Sequence, residues 1–182
     1  MKPPSLKRLN WGCGGAGVPG WINSDRRQGP GIDLCGDIRE GLPLAADTVD
    51  YAVSIHALQE VPFPELIPVL RELHRVLKPG GVLRLGLPDL DQGLQAYLRR
   101  DRDYFLVPDT DATSLGGKFI VHMLWYSHSR ILFTADFIEE LLRKAGFQEV
   151  SPCHCHQTGS AHPGIVELDN RAAETLYVEA VK

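Results

Sequence analysis

The residues with the clearest chemical potential are a glycine-rich loop and two aspartates that follow it. The loop reads G-C-G-G-A-G from Gly12 to Gly17, and Asp25 and Asp37 each follow a short apolar run. Small residues let backbone N–H groups come close to a ligand, and a carboxylate can accept hydrogen bonds from two hydroxyls or from an amine. This pattern predicts a nucleotide site in which a loop and two acids lie at the ends of strands.

The spacing after the loop argues against a dinucleotide. A dinucleotide site needs a helix that begins in the loop and an acid roughly 20 residues further on. Here Asp25 follows Gly17 by only eight residues, which leaves no room for a full crossover helix. We therefore expect the first crossover helix to be shortened or absent, and we assign Gly17 to the turn V-P-G-W. An NAD(P)-binding enzyme stays as the weaker alternative.

Apolar periodicity predicts the elements that must position these residues. Short runs of apolar and β-branched residues predict strands at 6–11, 21–24, 32–35, 49–55, 82–87, 150–155 and 175–181. Helical spacing predicts helices at 65–77, 91–106 and 134–145, with an irregular segment at 107–129. The alternation predicts an α/β fold: a mostly parallel sheet, helices on both faces and an antiparallel C-terminal edge strand. We expect one domain over residues 1–182, with an insertion on the substrate side at about 90–133.

Length, composition and charge set limits on the class of protein. The chain has 182 residues, 43% of them hydrophobic, and a net charge of −4, so we expect no nucleic-acid partner. The sequence has no apolar run of the ~20 residues that a membrane span needs and no secretory signal pattern. Four cysteines are too few for a disulfide framework in a chain of this length. These observations predict a cytoplasmic protein without a membrane partner.

Several segments occur in a fixed order at consistent spacings, and this order resembles the class I S-adenosylmethionine-dependent methyltransferases, near the small type-11-like subgroup. The segments are LNWGCGG, GWINSD, CGDIREGLPL, VDYAVSIHALQEV, LRELHRVLKPGGVLRLGLPDL and KAGF. The resemblance implies a Rossmann-like fold, S-adenosylmethionine as cofactor and S-adenosylhomocysteine as product. It also implies a transferase activity (EC 2.1.1.-) that methylates its acceptor by in-line displacement.

The resemblance also implies a set of cofactor-binding residues. Asp25 would accept hydrogen bonds from both ribose hydroxyls, and Asp37 from the adenine amine. Asn10 stands where many members have an acid, which predicts a weaker contact with the cofactor's amino group. The full set comprises Asn10, Gly12, Cys13, Gly14, Asp25, Arg26, Asp37, Ile38, Ile55 and His56.

The acceptor and the catalytic groups are less clearly indicated. An acceptor hydroxyl or amine must lose a proton, so the candidates for a general base are His56, Asp89 and His128, with His122 as a further one. We expect a small-molecule or saccharide acceptor, with a sugar hydroxyl as the first hypothesis. Aromatic and histidine side chains between 97 and 133 either form a wall or lid over the substrate or fill a secondary core.

Two other interpretations remain open. The asparagine at position 10 and the short segment before Asp25 also suit a degenerate cofactor-binding relative that acts as a partner subunit or in a homo-oligomer. Cys153-His154-Cys155-His156 resembles a metal cluster, but a strand would point the cysteines and histidines to opposite sides. We therefore predict no metal, with a structural zinc as the alternative if a turn lies there.

Overall fold

A computed structural model of the chain describes residues 6–15 and 17–182. Within them, seven strands form one sheet. Their bounds are β1 Arg8–Trp11, β2 Ile22–Asp25, β3 Leu34–Cys35, β4 Val49–Ile55, β5 Leu77–Pro88, β6 Gln148–Cys153 and β7 Thr175–Val181. Their order across the sheet is β3-β2-β1-β4-β5-β7-β6.

The sheet is mostly parallel, and its C-terminal strand is antiparallel, as predicted. β7 pairs with β5 from Val82 opposite Val181 to Pro88 opposite Thr175. It lies one place in from the edge, because β6 pairs with its other side. As a result, β7 begins at the same edge of the sheet where the parallel strands β1, β2, β4 and β5 end. Residues just before Thr175 therefore reach the site side of the molecule.

In the part of the chain that the structure describes, four α-helices accompany the sheet: α1 Leu66–Val76, α2 Leu90–Leu98, α3 Leu115–Leu124 and α4 Ala135–Ala145. α1 and α4 pack against each other and cover one face. The buried stripe of α1 has the expected helical spacing and comprises Leu66, Val69, Leu70, Leu73 and Val76. α4 ends where predicted, at Ala145, and Gly146 with a φ of 109° caps it, a conformation that suits glycine. None of the helices in the described residues is long and apolar enough to cross a bilayer.

The opposite face carries no α-helix among the described residues. Tyr51, Val53 and Val82 point to this side and form a small core with Trp21 and Ile165. Ile165 belongs to a short 3-10 helix, Pro163–Val166, which with its neighbouring loops provides the cover. We expected helices on both faces. In the described residues, α-helices cover one face, and on the other the helix is this short 3-10 helix.

Several predicted segments differ from the structure. The strand predicted at 82–87 begins earlier, because β5 runs from Leu77 to Pro88. The helix predicted at 91–106 ends at Leu98, and the segment predicted as irregular contains α3. Ser114 caps α3 by accepting a hydrogen bond from the Gly117 amide (3.0 Å), but two glycines in its first turn weaken the helical signal. The strand predicted at 150–155 ends at Cys153, and a turn follows it.

The connection between β1 and β2 contains only turns, apart from Ala16, which lies outside the described residues. Gly17 packs so tightly on Gly31 that a Cβ at residue 17 would lie 2.0 Å from the Gly31 carbonyl oxygen. The third glycine of the loop pattern therefore joins two loops. In a dinucleotide site it would instead pack a helix on a strand.

A buried ion cluster holds the C-terminal loops on the helix-free face. Arg84 on β5 is fully buried and binds both carboxylate oxygens of Asp169, at 2.8 and 2.5 Å. It also donates to Glu179 Oε1 (2.6 Å) and to the carbonyl oxygens of His154 (3.0 Å) and Gln157 (3.1 Å). All five guanidinium N–H donors thus have an acceptor. Residues 154–169, which follow β6, are tied to the middle of the sheet.

We predict that Arg84→Met destabilises the protein by about 3–5 kcal/mol, because it leaves two buried carboxylates without a cation. Urea unfolding at pH 7 measures this loss. The matched variant Arg143→Met removes an exposed arginine that pairs with Glu139 on α4, and it should cost about 0.5 kcal/mol or less. Equal unfolding free energies for the two variants would contradict the role of Arg84.

Candidate active site

The carboxyl ends of β1, β2 and β4 surround an open cavity of about 460 Å³, a volume in the range of ligand-binding pockets. Nine of the ten residues predicted to bind the cofactor line it, and they come from separate loops along the sheet edge. They are Gly12, Cys13, Gly14, Asp25, Arg26, Asp37, Ile38, Ile55 and His56. The fold therefore brings together residues that are up to 44 positions apart, from 12 to 56.

The glycine loop passes close to the loop after β4. Gly12 has a φ of 68°, and a Cβ there would lie 2.2 Å from the Cβ of Ala57, so only glycine fits. The amides of Gly12 and Cys13 donate to the Ser24 carbonyl oxygen, at 2.8 and 3.2 Å. These amides were expected to face a ligand, and instead they brace the loop on β2. Burial raises the pKa of the Cys13 thiol, so this cysteine is not an activated nucleophile.

The two predicted acids occupy separate places in the cavity. Asp25 accepts from the Gly14 amide (2.8 Å) through one oxygen and from the Arg27 amide (2.9 Å) through the other. Each carboxylate oxygen has a second lone pair, so Asp25 can still accept two further hydrogen bonds. Asp37 binds the Arg39 side chain with both oxygens, and this hydrogen bonding lowers the pKa of Asp37 to about 2.

Asn10 and His128 are not brought into the cavities. Asn10 is buried on β1 and donates to Asn23 Oδ1 (3.1 Å), so its side chain ties β1 to β2. His128 lies exposed after α3, because left-handed backbone at Trp125, Tyr126 and Ser127 turns the chain there. Neither residue lines the large cavity or its smaller neighbour.

A smaller cavity of about 110 Å³ adjoins the large one. His56, Glu60 and Arg171 line both cavities and mark their junction. The other lining residues come from the segment after β4, from the end of β5, from the insertion and from the C-terminal segment. They are Gln59, Pro88, Asp89, Tyr104, His122, Met123, Trp125 and Glu174. A compartment next to a cofactor-sized cavity is suited to the second reactant.

His56 is held in an unusual backbone conformation at the junction. It is the first residue after β4, has a φ of 53°, and its amide donates to the Gly86 carbonyl oxygen (2.8 Å). Its Nε2 lies 2.8 Å from Thr175 Oγ1. Burial, with the charge of Arg171, lowers the pKa of His56 to about 4. The imidazole is therefore neutral near pH 7, and it is a weak base.

Asp89 has a structural function at the edge of the smaller cavity. One of its oxygens accepts from the Gln92 amide (3.0 Å) and the other from the Gln92 side chain (2.8 Å). It is therefore the N-cap of α2. Three of the four predicted base candidates line the smaller cavity: His56, Asp89 and His122.

The segment before β7 contributes residues that the sequence did not indicate. Glu174 accepts from His122 Nε2 (3.1 Å), and His122 Nδ1 in turn accepts from the Leu106 amide (3.1 Å). The hydrogen bond from His122 lowers the pKa of Glu174. Arg171 stacks over the Trp125 ring at 5.4 Å and lies 3.6 Å from Glu174. The only sequence signal was the cluster of charged residues directly before a predicted strand.

The aromatic residues of the insertion serve two purposes. Tyr104 and Trp125 line the smaller cavity, as expected for a substrate wall. Phe105, 3% exposed, packs against the rings of Phe119 and His122, as expected for a secondary core, whereas Phe133 is fully buried in the main core. The aromatic side chains are thus divided between the cavity lining and the core.

The cysteine and histidine run does not form one cluster. Cys153 contacts the Arg84 guanidinium (3.1 Å). The turn after β6 brings side chains of Cys155 and His156 within 4.8 Å of Asp169. Asp169 already binds Arg84 with both oxygens, and a guanidinium at this place opposes a metal cation.

Comparisons with known proteins agree with this geometry. Residues 9–85 match the family model described as a methyltransferase domain, whereas a comparison with curated protein sequences finds no match. Among solved structures, an Archaeoglobus fulgidus SAM-dependent methyltransferase matches with a TM-score of 0.61 at 10% identity, over 98% of this chain and 87% of that chain. This chain has the class I methyltransferase fold.

Two further structures show the same fold. A Thermotoga maritima SAM-dependent methyltransferase, described as a possible histamine N-methyltransferase, has a TM-score of 0.55 at 20% identity, over 98% of this chain and 83% of that chain. A Mesorhizobium loti S-adenosylmethionine-dependent methyltransferase has a TM-score of 0.53 at 18% identity, over 98% and 91%. These likenesses show the shared fold, and the family model matches residues 9–85, where most of the segments that carry the predicted resemblance lie.

We predict that His56 makes stability depend on pH between about 4 and 6.5. The unfolded histidine binds a proton below its ordinary pKa of 6.5, whereas the folded one does so only near 4. The unfolded state therefore binds more protons in this window, and stability rises with pH across it. The slope should be shallower in His56→Asn, since asparagine tolerates a positive φ.

Urea midpoints measured at pH 4, 5, 6 and 7 test this prediction. His128→Asn, which changes an exposed histidine, serves as the matched control and should keep the slope of the parent protein. Identical slopes for the parent protein and His56→Asn would refute the assignment.

Proposed function

We propose that this chain binds S-adenosylmethionine in the larger cavity and transfers its methyl group to an acceptor in the smaller one. The observation that carries the proposal is the junction of the two cavities at His56, Glu60 and Arg171. A methyl donor and an acceptor must meet in line, and this junction gives them a place to do so. Bound S-adenosylmethionine supplies a methyl group already activated on a sulfonium.

The residues of the larger cavity fit this cofactor. Gly14 has a φ of 73°, and a Cβ there would meet no protein atom within 4 Å, so the loop leaves space where a ligand can come close. We assign Asp25 to the ribose hydroxyls, and Asp37 with Ile38 to the adenine. Asn10 is left out of this set because its side chain is used between β1 and β2.

The protein's contribution is to position the reactants and exclude water. Ile55 and His56 border the junction, and the neutral imidazole adds no positive charge beside a sulfonium. Tyr104 and Trp125 close the acceptor side. The smaller cavity, about 110 Å³, suits a small acceptor or one end of a larger molecule such as a saccharide.

We predict that Asp25→Ala lowers the affinity for S-adenosylhomocysteine on the order of 100-fold, since it removes two charge-assisted hydrogen bonds. Asp25→Asn should show an intermediate loss, because an amide keeps one acceptor oxygen. Isothermal titration calorimetry with each purified protein measures these affinities.

The control is Asp103→Ala, which removes an exposed carboxylate outside both cavities and should bind like the parent protein. Thermal unfolding of each variant separates loss of binding from loss of fold, since Asp25 also braces the glycine loop. Parent-like affinity in Asp25→Ala would refute the ribose assignment. No binding of S-adenosylhomocysteine at millimolar concentration by the parent protein would refute the proposed function. Light scattering in the same buffer would show whether the chain acts alone or as part of an oligomer.

A further inference from the structure

The smaller cavity is rich in hydrogen-bond acceptors, and we propose that it binds the acceptor substrate through an amine nitrogen. This inference rests on the proposed function, because it concerns the group that receives the methyl. The residues that carry it are Gln59, Glu174 and Asp89, all of which line the cavity.

Gln59 presents a buried acceptor that has no partner. Its Nε2 donates to the His56 carbonyl oxygen (2.7 Å), and because that oxygen can only accept, the orientation of the side-chain amide is fixed. The Gln59 backbone carbonyl accepts from the amides of Arg130 and Ile131, at 2.8 and 3.3 Å. Gln59 is only 5% exposed, and its Oε1 has no hydrogen-bond partner among the described residues. Buried oxygens of this kind are normally satisfied, and because Gln59 lines the cavity, the proposal assigns its missing donor to the ligand.

The charges around the cavity favour a donor that carries positive charge. Its lining includes three carboxylates, Glu60, Asp89 and Glu174, against one guanidinium, that of Arg171. Arg171 lies 3.6 Å from Glu174, and Glu60 lies 3.5 Å from Arg26 outside the cavity. Asp89 forms no ion pair with the described residues. An ammonium group can donate three hydrogen bonds to such surroundings, whereas a hydroxyl can donate one.

Transfer to an amine also suits the chemistry that these residues permit. The lone pair of the free amine forms the new N–C bond while the C–S bond breaks and its electron pair goes to sulfur. Positive charge then moves from sulfur to nitrogen, next to Glu174 and Asp89. The proton that a bound ammonium must lose before its lone pair can attack goes to solvent, so no base on the protein is needed. A hydroxyl would have to lose a proton to a base, but Asp89 caps α2 with both oxygens, and both ring nitrogens of His122 are in hydrogen bonds.

The first experiment measures binding to protein saturated with S-adenosylhomocysteine. The probes are small primary amines, each paired with the alcohol of the same skeleton: propylamine with propanol, cyclohexylamine with cyclohexanol, and benzylamine with benzyl alcohol. We expect calorimetry to show at least one amine that binds ten times more tightly than its alcohol.

The second experiment changes the unpaired acceptor. Gln59→Met and Gln59→Glu both lose the hydrogen bond to the His56 carbonyl, but only glutamate keeps an acceptor oxygen. We expect Gln59→Met to lower the amine affinity about tenfold, Gln59→Glu to retain more of it, and both to bind S-adenosylhomocysteine within about twofold of the parent protein. Gln95→Met is the control, because Gln95 is exposed on α2 and lines neither cavity.

A third readout uses the product S-adenosylhomocysteine. With amines of different basicity, the apparent pKa of kcat/KM should follow the pKa of the amine, since the free base is the nucleophile. An apparent pKa that stays constant across the amines would point to a base on the protein and contradict the proposal.

The results distinguish this inference from the proposed function. Failure of the parent protein to bind S-adenosylhomocysteine removes both. Two other outcomes remove only the amine proposal, in a protein that does bind S-adenosylhomocysteine. One is equal affinity for the amines and their alcohols, and the other is no detectable binding of any amine at about 10 mM, a concentration that reveals even weak ligands. Loss of S-adenosylhomocysteine binding in Gln59→Met would reveal a structural role, and the comparison of Gln59→Glu with the parent protein would then decide.

Discussion

The structure depends on the pairing of one buried guanidinium with two buried carboxylates. Arg84 lies in the middle of the sheet, on the face that has no α-helix among the described residues, and there it binds Asp169 and Glu179. An α-helix that covered this face would pair its backbone N–H and C=O groups within itself. Loops have backbone carbonyl oxygens that need hydrogen-bond donors from elsewhere. Arg84 supplies those donors to His154 and Gln157. The ion cluster thus holds the loops on this face of the sheet, whereas hydrophobic packing holds α1 and α4 on the other face.

The same cluster determines where the smaller cavity can form. Asp169 lies two residues before Arg171, and Thr175 begins the antiparallel strand opposite the end of β5. With both points fixed, the short segment between them has little freedom, and it carries Arg171 and Glu174 to the junction of the cavities. His56 is constrained from the other side by its left-handed backbone and by Thr175. Residues from the middle and the end of the chain therefore meet at one place, where a donor and an acceptor can be aligned.

The sequence predicted which residues line the larger cavity far better than which line the smaller one. The glycine loop, Asp25 and Asp37 lie within 26 residues, from 12 to 37, and each follows a short parallel strand whose end defines its place. Local spacing was therefore sufficient. The acceptor side depends on contacts such as His122 with Glu174, 52 positions apart, for which no local pattern exists. α3 was missed because glycines mask its helical signal, and Arg84 because a charged residue in an apolar strand gives no indication of its partners. Gln59 was overlooked because a missing hydrogen-bond partner is visible only in three dimensions.

The position of β7 between β5 and β6 has a consequence for how the chain is made. β5 ends at Pro88, but its neighbour on one side begins only at Thr175, so a ribosome synthesises 86 residues between them. During that time the backbone N–H and C=O groups along one edge of β5 lack their partner strand, and β6 has no strand on which to pair. A nascent chain of this topology is consequently exposed to wrong edge-to-edge contacts until its last strand emerges. The late synthesis of β7 is therefore a reason for this chain to need chaperones while it is being made.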